Sequence, residues 1–227
     1  MAAKKQTRQK LRKKVWVQFV APKLFNNVLL GESPVYEPQE LVGRHIQANL
    51  MTLTNDVKKQ SITLKFRATE VVDSKLATEL VSFSLNPASI KRMIGRGISR
   101  IDESFIVKTS DGKLIRIKAV LVTYGKASSV VLKNLRRNFI SHIIRDINKL
   151  GFEDFVSMAI GQKFQVELKK RLNKIFPIKS VEIKNFEVVT SGEPLKLTVV
   201  QRVREKEEQA EEPAKQTDDS ETFGEEN

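Results

Sequence analysis

The chain has 227 residues, a formal net charge of +13 and a sequence pI near 9.9, with 40% hydrophobic, 30% charged and 7% aromatic residues. That is apolar enough for a packed core, and basic enough to point to polyanionic partners, because unpaired Lys and Arg attract phosphates and release their counterions. Cysteine is absent, which excludes disulfides, thiolate metal sites and a cysteine nucleophile, and no uncharged run approaches the ~20 apolar residues of a membrane span.

Residues 1–14 carry Lys4, Lys5, Arg8, Lys10, Arg12, Lys13 and Lys14 and no acid. Too polar to offset its ordering entropy by burial, this stretch reads as a disordered arm that orders against RNA as its charge is neutralised. Followed by Val15–Pro22 it mimics a signal peptide, but Lys23 interrupts the apolar stretch and no clean cleavage site follows. The expectation is a soluble, intracellular protein without a membrane partner.

Val15–Val20 alternates like a strand and ends at Ala21-Pro22, since proline has no ladder donor. Gly31–Glu40, with Pro34 and Pro38, reads as a loop. His45–Leu50, Ser61–Val72 and Glu79–Leu85 return to strand alternation. Asn86-Pro87 is an N-cap followed by proline at the first helical position. The helix it opens places Ile90, Met93 and Ile94 on its apolar face and ends at Gly95 or Gly97.

Ser104–Thr123 is a hairpin turning at Ser110-Asp111-Gly112. A three-residue loop with Gly112 in the left-handed region pairs Val107 with Ile115 and Phe105 with Ile117, which keeps one face apolar and sends Lys108, Arg116 and Lys118 to the other. Ser128–Leu150 is a helix with Leu132, Leu135, Phe139 and Ile143 on its stripe and Lys133, Arg136, Arg137 and Arg145 off it. Phe152–Ile160 and Gln162–Phe176 are further helices, and Val181–Val189 and Leu195–Val203 are strands. Residues 205–227 hold ten acids against Lys206 and Lys215, which leaves +21 on residues 1–204.

The sum is an α+β fold. A strand-rich N-terminal half, an antiparallel sheet or barrel-like, precedes a helix-rich C-terminal part with returning strands. The expected organisation is a basic disordered arm at 1–14, one compact domain at 15–203 (or two interlocked parts meeting near 125–130) and an acidic disordered tail at 204–227.

No constellation for catalysis emerges. The two histidines, His45 and His142, lack metal-ligand spacing, and neither a phosphate-cradling Gly-Lys loop nor a nucleophile elbow is present. Asp102-Glu103 and Glu153-Asp154 read as loop and helix-start residues that cap or solvate. Gly95-Arg96-Gly97 is one residue short of the Gly-x-x-Gly clamp of KH domains, but leaves Arg92, Arg96 and Arg100 around a turn that suits phosphate contact. Interleaved exposed aromatics are not evident, so phosphate and shape recognition of folded RNA is favoured over base stacking. No cofactor and no metal are expected.

Several segments share their order with one family. Lys13-Lys14-Val15-Trp16-Val17, Ala21-Pro22-Lys23-Leu24-Phe25, Leu30-Gly31-Glu32-Ser33-Pro34, Gly43-Arg44 and Leu53-Thr54-Asn55-Asp56 come first. Arg92-Met93-Ile94, Arg100-Ile101-Asp102, Thr109 to Leu114, Phe155-Val156, Ile175-Phe176-Pro177 and Val181-Glu182-Ile183 follow. Together, over about residues 13–190, they resemble the small-subunit ribosomal protein family called S-three-A-e, also known as eukaryotic-type S-one, and the compact length resembles its archaeal members. The resemblance implies a cytoplasmic, ribosome-bound α+β protein on the platform of the small subunit. Its partners would be ribosomal RNA, neighbouring ribosomal proteins and, near the exit side, messenger RNA. Family members carry a denser Arg/Lys run where this chain has Gly95-Arg96-Gly97, so contacts at that loop are expected to be thinner.

The expected function is therefore a structural ribosomal constituent. The RNA contacts would be the arm (Lys4, Lys5, Arg8, Lys10, Arg12, Lys13, Lys14), the Arg92, Arg96 and Arg100 loop, Lys113, Arg116 and Lys118 of the hairpin, and Arg136 and Arg137 of the helix. The rival readings are a free-standing RNA- or DNA-binding factor and a protein–protein adaptor that uses its acidic tail.

Overall fold

The structure, a computed structural model, describes residues 13–72 and 75–189. The arm residues Lys4 to Arg12, the strand expected at Leu195–Val203 and the acidic tail lie outside the described residues. Among the described residues there are eight strands: β1 (Val15–Val20), β2 (Leu29–Val35), β3 (His45–Asn49), β4 (Ile62–Val72), β5 (Lys75–Leu85), β6 (Arg100–Lys108), β7 (Leu114–Thr123) and β8 (Ile178–Val189). Five α-helices accompany them in the same residues: α1 (Leu50–Thr54), α2 (Pro87–Met93), α3 (Ser129–Ile147), α4 (Phe152–Ile160) and α5 (Lys163–Leu172).

The strands form one mixed sheet in the order β2-β1-β5-β8-β7-β6, with β3 and β4 branching from β5. One edge of β5 is paired along its length by β4. Its other edge is shared: Lys75–Ala77 pair with β1 in parallel, and Ser82–Ser84 pair with β8 antiparallel. The β1–β5 pair is the exception to an otherwise antiparallel sheet. Splitting the edge this way splays the sheet over two cores. A small one holds Val17, Phe19, Val35, Leu41, Ala68 and Leu76. The large one lies between the sheet and α3, α4 and α5, and Leu30 and Ile46 touch both.

The β6–β7 register pairs Phe105 with Ile117 and Val107 with Ile115, and Gly112 sits at φ +81°, as a three-residue loop demands. That loop does a second job. The Asp111 carboxylate accepts a hydrogen bond from the Phe152 backbone N–H, and the Ser110 N–H donates to the Leu150 carbonyl. Gly151 offers no side chain to cap α4, so the hairpin supplies the anion that satisfies the helix N-terminus. Asp111→Ala is expected to lower stability by about 1 kcal/mol, the usual worth of a cap, read as a shift in urea midpoint at unchanged m.

Four elements depart from the sequence expectation. Residues 29–35 form β2 although Gly31 and Pro34 signalled a loop; Pro34 lies opposite Trp16 on an edge strand, where a missing N–H can face the unpaired side. The helix opened by Asn86 ends at Met93, before either glycine, and Ile94 is already extended. Asp102 and Glu103 lie inside β6, not in a loop; the ladder with β7 runs back to Arg100 opposite Val122 and buries Ile101, while the Arg100 guanidinium pairs with the Asp102 carboxylate on the other face. Asn49 caps the short helix α1, where strand alternation alone gave no sign of a helix.

Candidate nucleic-acid interface

The sheet has a helix-covered face and an outward face. Phe83, Phe105, Ile115, Ile117 and Phe186 point to the first and are buried; Lys108, Arg116 and Lys118 are exposed on the second. None of these three cations has a hydrogen bond or ion pair among the described residues. Helix α2 lies at the far end of the same outward side. There the Lys179 ammonium donates to the Met93 carbonyl, and Met93 Sδ stands 3.7 Å from Ser180 Oγ. Ser180 pairs with Val122, which is itself buried on that side.

The expected contact residues therefore divide. Arg92 and Arg96, on α2 and the turn after it, are exposed without partners among the described residues, and Gly97 at φ +73° makes the turn. Arg100 is at the start of β6 and held by Asp102, with Nη2 2.7 Å from Oδ1. Lys113 pairs with Glu79 and stands 4.9 Å from the centre of the Phe152 ring, so it helps seat the hairpin on α4. Arg136 pairs with Glu103 across the α3–β6 contact. Arg137 is half-buried, and Lys13 and Lys14 are exposed before β1. The structure gathers Arg92, Arg96, Arg116 and Lys118 on one side together with Arg100, which Asp102 already holds, and it engages Lys113 and Arg136 in ion pairs elsewhere.

Two features escaped the sequence. Lys65 of β4 joins the outward face through the register Lys65–Ser82–Glu187–Arg116, an alignment of four strands far apart in the chain. Exposed aromatics are also present. Trp16 is 64% and Tyr36 47% exposed. Trp16 pairs with Pro34, and the Lys14 ammonium sits 5.3 Å from the Tyr36 ring centre. The signal was the alternation of Lys14 with Trp16 and of Pro34 with Tyr36, hidden because β2 looked like a loop.

Among the described residues no group of His, Cys, Asp and Glu is placed to hold a metal, and no helix is long and apolar enough to cross a membrane. His45 is exposed on β3 opposite Arg67. His142 on α3 is held below its ordinary value by burial and by Arg171 and Arg145, against a smaller opposing pull from Asp146. The Glu182 carboxyl on β8 is raised by burial. A raised carboxyl binds its proton more tightly folded than unfolded, so stability falls as pH climbs from about 4.5 through the folded value. Glu182→Gln is expected to be more stable than wild type at neutral pH, with the difference closing below about pH 4.5; urea midpoints across pH 4–8 check it.

Among the described residues this is the arrangement of a basic α+β protein with a charged outward sheet face. The Ribosomal S3Ae family profile matches residues 2–192. The chain is 30% identical to small ribosomal subunit protein eS1 of Nanoarchaeum equitans, over 77% of this chain and 88% of that one. It is 30% identical to the protein of the same name from Methanothermobacter thermautotrophicus, over 80% and 93%. A third, from Saccharolobus islandicus, is 28% identical over 86% and 94%. The chain belongs to the Ribosomal S3Ae family, of the archaeal small-subunit type. Its role is structural within the ribosome and not enzymatic.

Proposed function

We propose that this protein binds folded ribosomal RNA of the small subunit through its basic surfaces and contacts neighbouring ribosomal proteins on the platform, close to the messenger exit side. The observation that carries the RNA reading is the gathering of cations without partners on one outward side of the sheet, in a chain with +21 on residues 1–204. A protein that used these cations for its own folding would pair them, as it pairs Lys113 and Arg136. The arm, Arg92, Arg96, Arg116 and Lys118 are the leading contacts; Arg100, Lys113, Arg136 and Arg137 would have to share their charge with intramolecular partners.

The test is sedimentation of a cytoplasmic lysate through a sucrose gradient at high salt. Superficial phosphate binding weakens by roughly 10³–10⁵ between 50 and 200 mM salt for six to ten contacts. Persistence in the small-subunit peak at near one copy supports an integral constituent. Release to the top of the gradient would point instead to a free-standing factor.

A further inference from the structure

The outward face of the sheet carries more than cations. Two neighbouring rows cross it, and residues directly paired across strands share a face. One row runs Gln47, Lys65, Ser82, Glu187, Arg116, Ile106 over β3, β4, β5, β8, β7 and β6. The next runs Asn49, Thr63, Ser84, Asn185, Lys118, Ser104 over the same strands. Eleven of these twelve side chains are polar, on a sheet whose opposite face is almost wholly apolar. The β3–β5 end of the rows is hollowed into a depression of about 360 Å³, rimmed by Gln60, Asn86 and Pro87.

Most of this hydrogen-bonding capacity is unspent. Asn49 is committed to capping α1 and to the Gln60 carbonyl, and Ser82 donates to Asn185. Gln47, Thr63, Ser84, Lys65, Arg116 and Lys118 make no side-chain hydrogen bond or ion pair among the described residues, and Glu187 is the single acid in the two rows. We propose that this face docks an A-form RNA duplex on its minor-groove side, an inference that rests on the RNA-binding reading above.

The chemistry selects that partner. Lys65 on β4 and Arg116 and Lys118 on β7 stand three strand spacings apart, roughly 14 Å, with the Ser82 and Ser84 hydroxyls, the Asn185 amide and the Glu187 carboxylate, an acceptor beside Arg116, between them. Cations at two flanks suit the two phosphate backbones. Neutral groups that both donate and accept suit the 2′-hydroxyls displayed across a wide, shallow minor groove. Neither row holds an aromatic ring, so the face lacks the stacking platform that single-stranded RNA requires. An apolar protein surface would leave these polar groups without partners, and DNA lacks the 2′-hydroxyl. Recognition of this kind reads shape more than sequence.

The experiment uses the full-length protein and fluorescence anisotropy with a labelled 20-base-pair RNA duplex, the DNA duplex of the same sequence and one RNA strand alone. The wild type is expected to prefer the RNA duplex to both. Lys65→Gln/Arg116→Gln/Lys118→Gln is expected to weaken duplex binding and lower the salt slope by about 2–3, the share of three phosphate contacts. Thr63→Val/Ser84→Ala is expected to leave that slope unchanged and to reduce the RNA-over-DNA preference several-fold, which a purely structural role of these side chains would not do. Far-ultraviolet circular dichroism melts of both variants confirm the fold.

Equal affinity for the RNA and DNA duplexes in the wild type, or an unchanged slope in the triple variant, overturns the proposal. So does a triple variant that keeps its duplex affinity but leaves the small-subunit peak, since the face would then take a protein. These results differ from failure of the broader reading, in which the wild type itself neither binds RNA nor sediments with the subunit.

Discussion

Phe186→Ala is expected to lower the unfolding free energy by about 3–5 kcal/mol, the range for emptying a buried aromatic site. Phe186 is fully buried on β8. It stacks on Phe83 of β5 at 5.1 Å and 7°, and meets Phe155 and Phe152 of α4 at 5.3 and 6.5 Å. The same residue pairs with Ile117 of β7, so one ring joins the N-terminal strands, the hairpin and the helical layer. Against a typical total of about 5–15 kcal/mol, that loss brings the variant near the edge of folding. Urea titration at unchanged m gives the measurement. Phe186→Leu, which keeps most of the buried carbon, is expected to cost less; equal losses in the two variants would mean that the ring geometry and not the filled volume is what β8 needs. Because Asn185 and Glu187 flank Phe186 and point outward, the Ala variant should also lose RNA affinity before it loses its helices.

The elements that could be read from the sequence are those whose information is local. The β6–β7 register followed from two constraints a few residues apart, the apolar set Phe105, Val107, Ile115 and Ile117 and the left-handed need met by Gly112. Asn86 and Ser128 announce their helices because a cap acts within three residues, as their bonds to Ala88 N–H and Val131 N–H show. What could not be read is non-local. Nothing near Ser82 says that it faces both Lys65 and Glu187, and nothing near Trp16 says that Pro34 will lie beside it. The same limit applies to the candidate interface. Lys113, Arg116 and Lys118 look alike in sequence, yet the loop docking on α4 takes Lys113 into an ion pair with Glu79 and leaves the other two on the open face. Charge could be counted from the sequence; its allocation needed the pairing of strands from separate parts of the chain.

Deleting residues 2–12 is expected to cut RNA affinity steeply while sparing the fold. The deletion removes Lys4, Lys5, Arg8, Lys10 and Arg12, and stops short of Lys14, which stands over Tyr36 beside β1. If each removed cation neutralises one phosphate, the salt slope falls by roughly 4–5, and the wild type should lose about 500-fold more affinity than the truncated chain between 50 and 200 mM salt. Thermal stability should hardly change, because among the described residues both buried cores are complete from Val17 onward. The arm and the outward sheet face are expected to make separable contributions. Substituting Lys65, Arg116 and Lys118 is expected to lower the slope by about a further 2–3, and combining the truncation with their triple substitution should add the two drops if they touch different phosphates. A combined drop no larger than that of the truncation alone would mean that arm and face compete for the same stretch of RNA, which would make the arm a tether over the sheet and not an extension beyond it.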